Sequence, residues 1–274
     1  MPVTNEGARR VRDLIDQDID YLGIGTDSST AEKTDETLGY ELARKQSIST
    51  EYPAYNQFRK EFYLTSTELN GFTLGEIGLF KDNYLVLEDG EDVSDWSASG
   101  DISSITADTS TYQIGSSSMK ISLNYSAGSG TATNTSSIGD LSAYTGTTSG
   151  TCSSGWITMM IKTDQPDNIS SVKYRIGSSA TDYAEATTTS LSSTWSGWSI
   201  SMEDMDITGN PDWTTADLQE FEINTTTTAG TSTTVWIDHL KVSKLMFSRH
   251  TIPSIEKDQF SEIDFLVTVE VSNE

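Results

Sequence analysis

The chain has 274 residues, 35% of them hydrophobic, and carries 17 Lys and Arg against 41 Asp and Glu, for a formal charge of -24 and a pI near 4.2. That balance excludes binding to nucleic acid through its phosphates and disfavours anionic membranes, while the length is ample for a buried core. A single cysteine, Cys152, excludes an internal disulfide framework and a cysteine-built metal site. From the N terminus, Thr4 or Asn5 caps a helix whose Ala8, Val11, Leu14, Ile15 and Ile19 recur at helical spacing, which predicts one buried face. Tyr21-Leu22-Gly23-Ile24-Gly25 alternates, and a second short helix is expected over 34–43, opened by Thr34 or Asp35. Strands are expected over 46–52 and 58–65, followed by the alternating run 71–80, with glycines where backbones approach.

Composition then changes. Residues 84–245 are rich in Ser, Thr and Gly, hold all six Trp, and carry 6 basic against 20 acidic residues. Alternating runs recur there between turn residues: Met119, Ile121 and Leu123; Ile157, Met159 and Ile161; Val172, Tyr174 and Ile176; Trp198, Ile200 and Met202; Trp236, Leu240 and Val242. Burying so many one-faced strands calls for a two-sheet sandwich. Beyond residue 245 the mixed-charge pattern returns, with strands at 245–250 and 260–271 separated by Ile252-Pro253-Ser254-Ile255. The expected fold class is therefore mainly β: a split α+β domain of residues 1–83 and 246–274, interrupted by a β-sandwich of residues 84–245. The loop tip Lys81-Asp82-Asn83 suits such an insertion.

The outer pieces carry a resemblance. Thr4-Asn5-Glu6-Gly7-Ala8-Arg9, Gly23-Ile24-Gly25-Thr26-Asp27, the segment 34–44 (Thr-Asp-Glu-Thr-Leu-Gly-Tyr-Glu-Leu-Ala-Arg) and Leu74-Gly75-Glu76-Ile77-Gly78-Leu79-Phe80 together resemble the attachment domain of tail-fibre or baseplate proteins of tailed viruses. The closing segment 252–271 is similar to that family's final strands. The inserted segment resembles the jelly-roll carbohydrate-binding modules of the galactose-binding-like class, through Leu87-Glu88-Asp89-Gly90 with Trp96, the run 112–121, Trp195 and Trp198, and Val235-Trp236-Ile237-Asp238.

The second resemblance implies a structural Ca2+ between the acidic first strand and the last, with Glu88 and Asp238 as side-chain ligands and Asp108 and backbone carbonyls at 108–111 as helpers. The usual second acid after Asp238 is His239 here. Asp238 also stands out from the residues alone, because it sits on the parity of Trp236 and Leu240, where a carboxylate needs a cation or hydrogen-bond donors. The resemblance further implies glycan binding. Trp156 lies opposite Ile157, Met159 and Ile161, and Arg175 opposite Tyr174; these two, with Tyr144, Tyr183 and Trp213, are the candidate ligand-contacting residues. Asn124, Asn134, Asn168 and Asn224 each begin an Asn-x-Ser/Thr triplet.

No catalytic constellation is legible. His239 and His250 have no nucleophile and acid at a recognisable spacing, and Cys152 has no basic neighbour in sequence. The expectation is a non-enzymatic virion protein, a tail-fibre, spike or receptor-binding component. Its partners would be other virion proteins and a host-surface glycan, and by resemblance it would be a homotrimer. The first residues lack the basic start and apolar run of a signal peptide, in keeping with a virion location reached by release from the host. Two alternatives stay open: an architectural capsid decoration, turret or baseplate component without glycan affinity, and a carbohydrate-binding accessory module of an extracellular enzyme. The acidity itself is compatible with high-salt adaptation, Ca2+ binding or simple solubility.

Overall fold

The computed structural model describes residues 4–124, 128–226, 232–244 and 246–271. Leu245, where the sequence opens the strand after the sandwich, and residues 125–126 of the Asn124 triplet lie outside the described residues. In chain order, helix α1 (Asn5–Asp16) precedes β1 (Tyr21–Gly25), β2 (Glu41–Gln46), β3 (Ser49–Ala54), β4 (Gln57–Leu64) and β5 (Thr73–Phe80). Then come β6 (Leu85–Glu88), β7 (Trp96–Gly100), β8 (Ile102–Asp108), β9 (Ser118–Leu123), β10 (Ser129–Asn134), the short helix α2 (Ser142–Thr145) and β11 (Trp156–Thr163). Strands β12 (Ile169–Ser179), β13 (Asp182–Thr188), β14 (Ser196–Ser201), β15 (Asp206–Thr208), β16 (Leu218–Thr225), β17 (Thr233–Ser243), β18 (Met246–Glu256) and β19 (Ile263–Glu270) complete the chain. It divides into two compact units, one made of Met1–Tyr84 with Lys244–Glu274 and the other of Leu85–Ser243. The protein is mainly β, and among the described residues every strand pair is antiparallel.

The first unit holds a four-stranded sheet in the order β18-β5-β1-β2, a three-stranded sheet β19-β4-β3, and α1. Thr4 caps α1, its Oγ1 accepting the Gly7 N–H at 3.1 Å. The helix buries less apolar surface than its spacing predicts. Ala8 and Arg12 are its buried residues, whereas Val11 and Leu14 are 42% and 63% exposed. Arg12 occupies the position one turn after Ala8 because its guanidinium lies 4.5 Å from the Tyr52 ring centroid and bonds Asp13 and the Ala54 carbonyl.

The helix expected over 34–43 is absent. Residues 26–40 run as bends and turns, and Glu41 opens β2. The competing partner is Glu76 on β5, fully buried, which accepts the N–H groups of Gly39 (3.0 Å) and Tyr40 (2.7 Å) and the Arg249 Nε (2.8 Å). Arg249 also reaches Asp35 at 2.8 Å and Asp27 at 2.7 Å, so β18 is tied to β5 and to the connection after β1. Gly23 on β1 is glycine because a Cβ there would lie 2.6 Å from the Phe80 ring, on which the Arg44 guanidinium stacks at 3.5 Å. The segment 252–255 does not separate two strands: β18 runs to Glu256, and the register slip between Thr251 and Ile255 absorbs Pro253, which has no N–H for the ladder.

The second unit is a β-sandwich. One sheet has the order β15-β13-β12-β16-β10-β7, the other β14-β11-β17-β9-β8 with β6 added beside β17. Met119, Ile121, Leu123, Ile157, Met159, Ile161, Val172, Tyr174, Ile176, Phe221 and Ile223 meet in one core, as alternation requires. Trp198 packs against that core as expected. Trp236 does not. On β17 it stands opposite Lys162 and Lys120, its ring 5.3 Å and 5.8 Å from their ammonium groups, while Val235 and Ile237 point into the core. The parity is reset at His239, a non-glycine residue with φ 51°, where β17 slips against β11 and Leu240 and Val242 turn inward.

Candidate functional site

The solvent side of the β15-β13-β12-β16-β10-β7 sheet is built at its centre by β12, β13 and β16. Inward Val172, Tyr174 and Ile176 alternate with Lys173 and Arg175, and inward Phe221 and Ile223 alternate with Glu220 and Glu222. Register places Arg175 opposite Glu185 on one neighbour and Glu220 on the other. All three nitrogens of the guanidinium are engaged: Nε donates to Glu185, Nη1 to Glu220, and Nη2 to Glu222 at 2.7 Å. Lys173 Nζ lies 3.3 Å from Glu185 and 3.8 Å from Glu222. Partial burial lowers the affinity of Arg175 for its proton, but the bonds to Glu185 and Glu220 outweigh it and raise its pKa further. Beneath the network, the Tyr174 and Phe221 rings lie 4.8 Å apart and Phe221 and Trp96 5.7 Å apart, a packed aromatic floor.

Tyr183 on β13 flanks the network, its ring centroid 5.2 Å from the Arg175 guanidinium carbon. The backbone of Tyr183 approaches Gly177 so closely that a Cβ at 177 would fall 2.5 Å from its Cα. The outcome is a polar, half-exposed surface, with one aromatic ring beside fixed charges and the hydroxyls of Thr131 and Thr133 on the next strand. Such a surface can hold the hydroxyls and one C–H face of a sugar ring.

Of the five expected ligand residues, the structure brings together Arg175 and Tyr183. Trp156, half-buried, is on β11 in the other sheet, with its side chain on the opposite parity to core residues Ile157, Met159 and Ile161. Tyr144, on α2, packs partly buried against the core. Trp213 is a correction: it is fully buried, its Nε1 donating to the Gly150 carbonyl at 2.8 Å, so its ring offers no face to a ligand. Residues missed from the sequence are Lys173, Glu185, Glu220 and Glu222. The alternation of 218–224 is legible, yet a strand carrying two glutamates resembles a solvated segment.

The expected metal residues are not assembled as a set. Glu88 accepts the Gly90 N–H at 2.7 Å and the Trp96 Nε1 at 2.5 Å, one on each oxygen. Burial pushes its pKa up against those donors. Desolvation also acts on Asp108, but hydrogen bonds from Ser110 and Trp236, with Lys120 nearby, hold it down at about 2. Among the described residues, no group of three or more His, Cys, Asp or Glu side chains comes together that could hold a metal ion. Glu88, Asp108 and Asp238 therefore do not fit a shared cation.

Asp238 is the exception within the trio. It lies on the parity of Trp236, away from the core, and is nonetheless 1% exposed because the segment after β8 covers it. Its Oδ2 accepts the N–H groups of Gln113 and Ile114, whereas Oδ1 is buried without a hydrogen-bond partner. Desolvation raises its pKa to about 6 despite those donors. A cleft of 390 Å³ also opens beside β6, lined by Glu88, Asp89, Asp92, Asp95, Asn134 and Gln219 among others.

No protein-family model and no curated protein matches the chain. Among solved structures it is similar to a family 30 carbohydrate-binding module (TM-score 0.44, 14% identity, 58% of this chain and 96% of that one). It is also similar to the family 30 module of a cellulosomal cellulase of Clostridium thermocellum (0.39, 15%, 62% and 97%). A further similarity is to an exo-β-agarase (0.44, 10%, 60% and 25%).

Proposed function

We propose that this chain is a non-catalytic, glycan-binding structural protein of a virus particle. In this reading the sandwich of residues 85–243 holds the glycan, and the unit formed by Met1–Tyr84 with Lys244–Glu274 docks on the particle as part of a homotrimer. The observation that carries the glycan half is the Arg175–Tyr183 face, where an aromatic ring and fixed polar groups stand side by side on a rigid sheet. The virion half is supported by the sequence resemblance of the outer segments to tail-fibre attachment domains. Its motif residues Asp27 and Glu76 are drawn together by Arg249, so the motif has a structural reason to exist.

A non-catalytic role is supported by the nucleophile inventory. Cys152 is buried, and desolvation pushes its thiol up to about 12, far from the thiolate a nucleophile needs. His239 and His250 belong to different units. One observation favours the architectural reading instead: every Arg175 nitrogen already donates to a carboxylate of the same chain, so its charge is paired with no ligand present.

A glycan array probed with the full chain separates the two. Saturable binding that Tyr183→Ala removes without unfolding the protein supports the glycan-binding reading. A folded oligomer that retains no glycan moves the assignment to the architectural component. Light scattering after gel filtration reads the subunit number, and a monomer would sink the trimer.

A further inference from the structure

Building on the glycan-binding reading, we propose that the Arg175–Tyr183 face selects neutral glycans and rejects those bearing carboxylate or sulfate groups. Arg175 is the cation that an acidic sugar would be expected to engage, because a guanidinium matches carboxylates and sulfates in a two-pronged geometry. Here three of its five N–H donors, one on each nitrogen, are already given to carboxylates. Nε is taken by Glu185, Nη1 by Glu220 and Nη2 by Glu222, on the two strands that flank it. Lys173, the other cation of the face, stands between Glu185 and Glu222. Three carboxylates thus surround two cations, and Asp206 on β15, opposite Glu185 in register, adds a fourth. An acidic group set on this face meets net negative charge, because both cations are already paired with more carboxylates than they can neutralise.

Hydroxyls meet the opposite situation. The second oxygen of Glu220 accepts the Thr133 hydroxyl at 3.1 Å, so the carboxylates that bind Arg175 still accept O–H donors. Glu222 likewise accepts the Asn224 amide at 3.1 Å on its other oxygen. A neutral sugar brings such donors without charge, and its C–H face suits the Tyr183 ring. The discrimination comes from repulsion of the wrong ligand, not from a stronger hold on the right one.

The test uses the full chain on an array of neutral, uronate-containing and sulfated oligosaccharides, followed by calorimetric titration of the best neutral ligand and its carboxylated counterpart. One added negative charge is expected to weaken binding by about tenfold at low salt, and the gap should narrow as salt rises. Replacing Glu220 and Glu222 with Gln, in protein shown to be folded by circular dichroism, should shrink the gap further. An acidic counterpart that binds as tightly as the neutral ligand, with both lost in Tyr183→Ala, overturns the selectivity and leaves the glycan reading standing. Absence of any glycan binding by the folded wild type overturns both.

Discussion

The backbone N–H of Gln113 lies 2.6 Å from Asp238 Oδ2, and this contact buries a carboxylate whose other oxygen has no partner. Its pKa is raised to about 6, well above the ordinary aspartate range, mainly by desolvation. A carboxyl with a raised folded pKa binds its proton more tightly in the folded state, so its contribution favours folding at low pH. That contribution is lost as pH rises from about 4 to about 6. Without added divalent cation, the protein is expected to be more stable at pH 5 than at pH 7 through this group, by about 1 kcal/mol. Asp238→Asn should flatten that part of the pH profile in chemical denaturation, and an unchanged profile would remove Asp238 as its source.

The same unpartnered oxygen is where the Ca2+ expected from the sequence would still find a ligand. If a hard cation binds there, Ca2+ raises the melting temperature of the wild type, and Asp238→Ala abolishes the increment. Glu88→Gln and Asp108→Asn should leave it in place, since the oxygens of Glu88 and Asp108 are engaged by Gly90 and Trp96 and by Ser110 and Trp236. Equal melting of wild type and Asp238→Ala with and without Ca2+ would sink the calcium reading.

How far the sequence reaches is clearest at Asp238 itself. Alternation correctly assigns Met119, Ile121 and Leu123 to the core, because a strand's period is fixed by its backbone. The same rule misplaces Trp236, because the parity changes at His239 and a positive φ at a non-glycine residue leaves no mark in the sequence. Thr4 caps its helix as read, a local hydrogen bond three residues long. The helix expected over 34–43 is lost to Glu76, whose bonds to Gly39 and Tyr40 span 37 and 36 residues and are invisible to any local pattern. At the candidate face, Arg175 and Tyr183 are found from parity and residue type. Glu185, Glu220 and Glu222 become part of it only once β12 is known to lie between β13 and β16.

Arg249 offers a test of the first unit. Its guanidinium bonds Glu76, Asp27 and Asp35, and Glu76 is fully buried. Arg249→Ala would leave Glu76 with the backbone donors of Asp27, Gly39 and Tyr40 and no counter-charge. Breaking a buried pair from one side costs about 3–5 kcal/mol. The variant should therefore unfold the first unit at markedly lower denaturant, followed by proteolysis within residues 26–40. A double variant, Arg249→Met with Glu76→Gln, is expected to recover part of the loss, because it removes the orphaned charge along with its partner.

Trp213 separates packing from binding. Its ring is fully buried, and its Nε1 is bonded to Gly150, so truncation opens a cavity and leaves a carbonyl unpaired. Trp213→Ala is expected to lower stability by about 3–5 kcal/mol, the range for a buried Trp. Trp213→Phe keeps most of the packing and loses the hydrogen bond, for about 1–3 kcal/mol. Neither change touches Arg175, Tyr183 or the glutamates around them, so under conditions where the variants stay folded any glycan affinity should match the wild type. Loss of binding in folded Trp213→Phe would place the ligand elsewhere on the sandwich, because a side chain with no exposed surface can reach a sugar only if the structure around it opens.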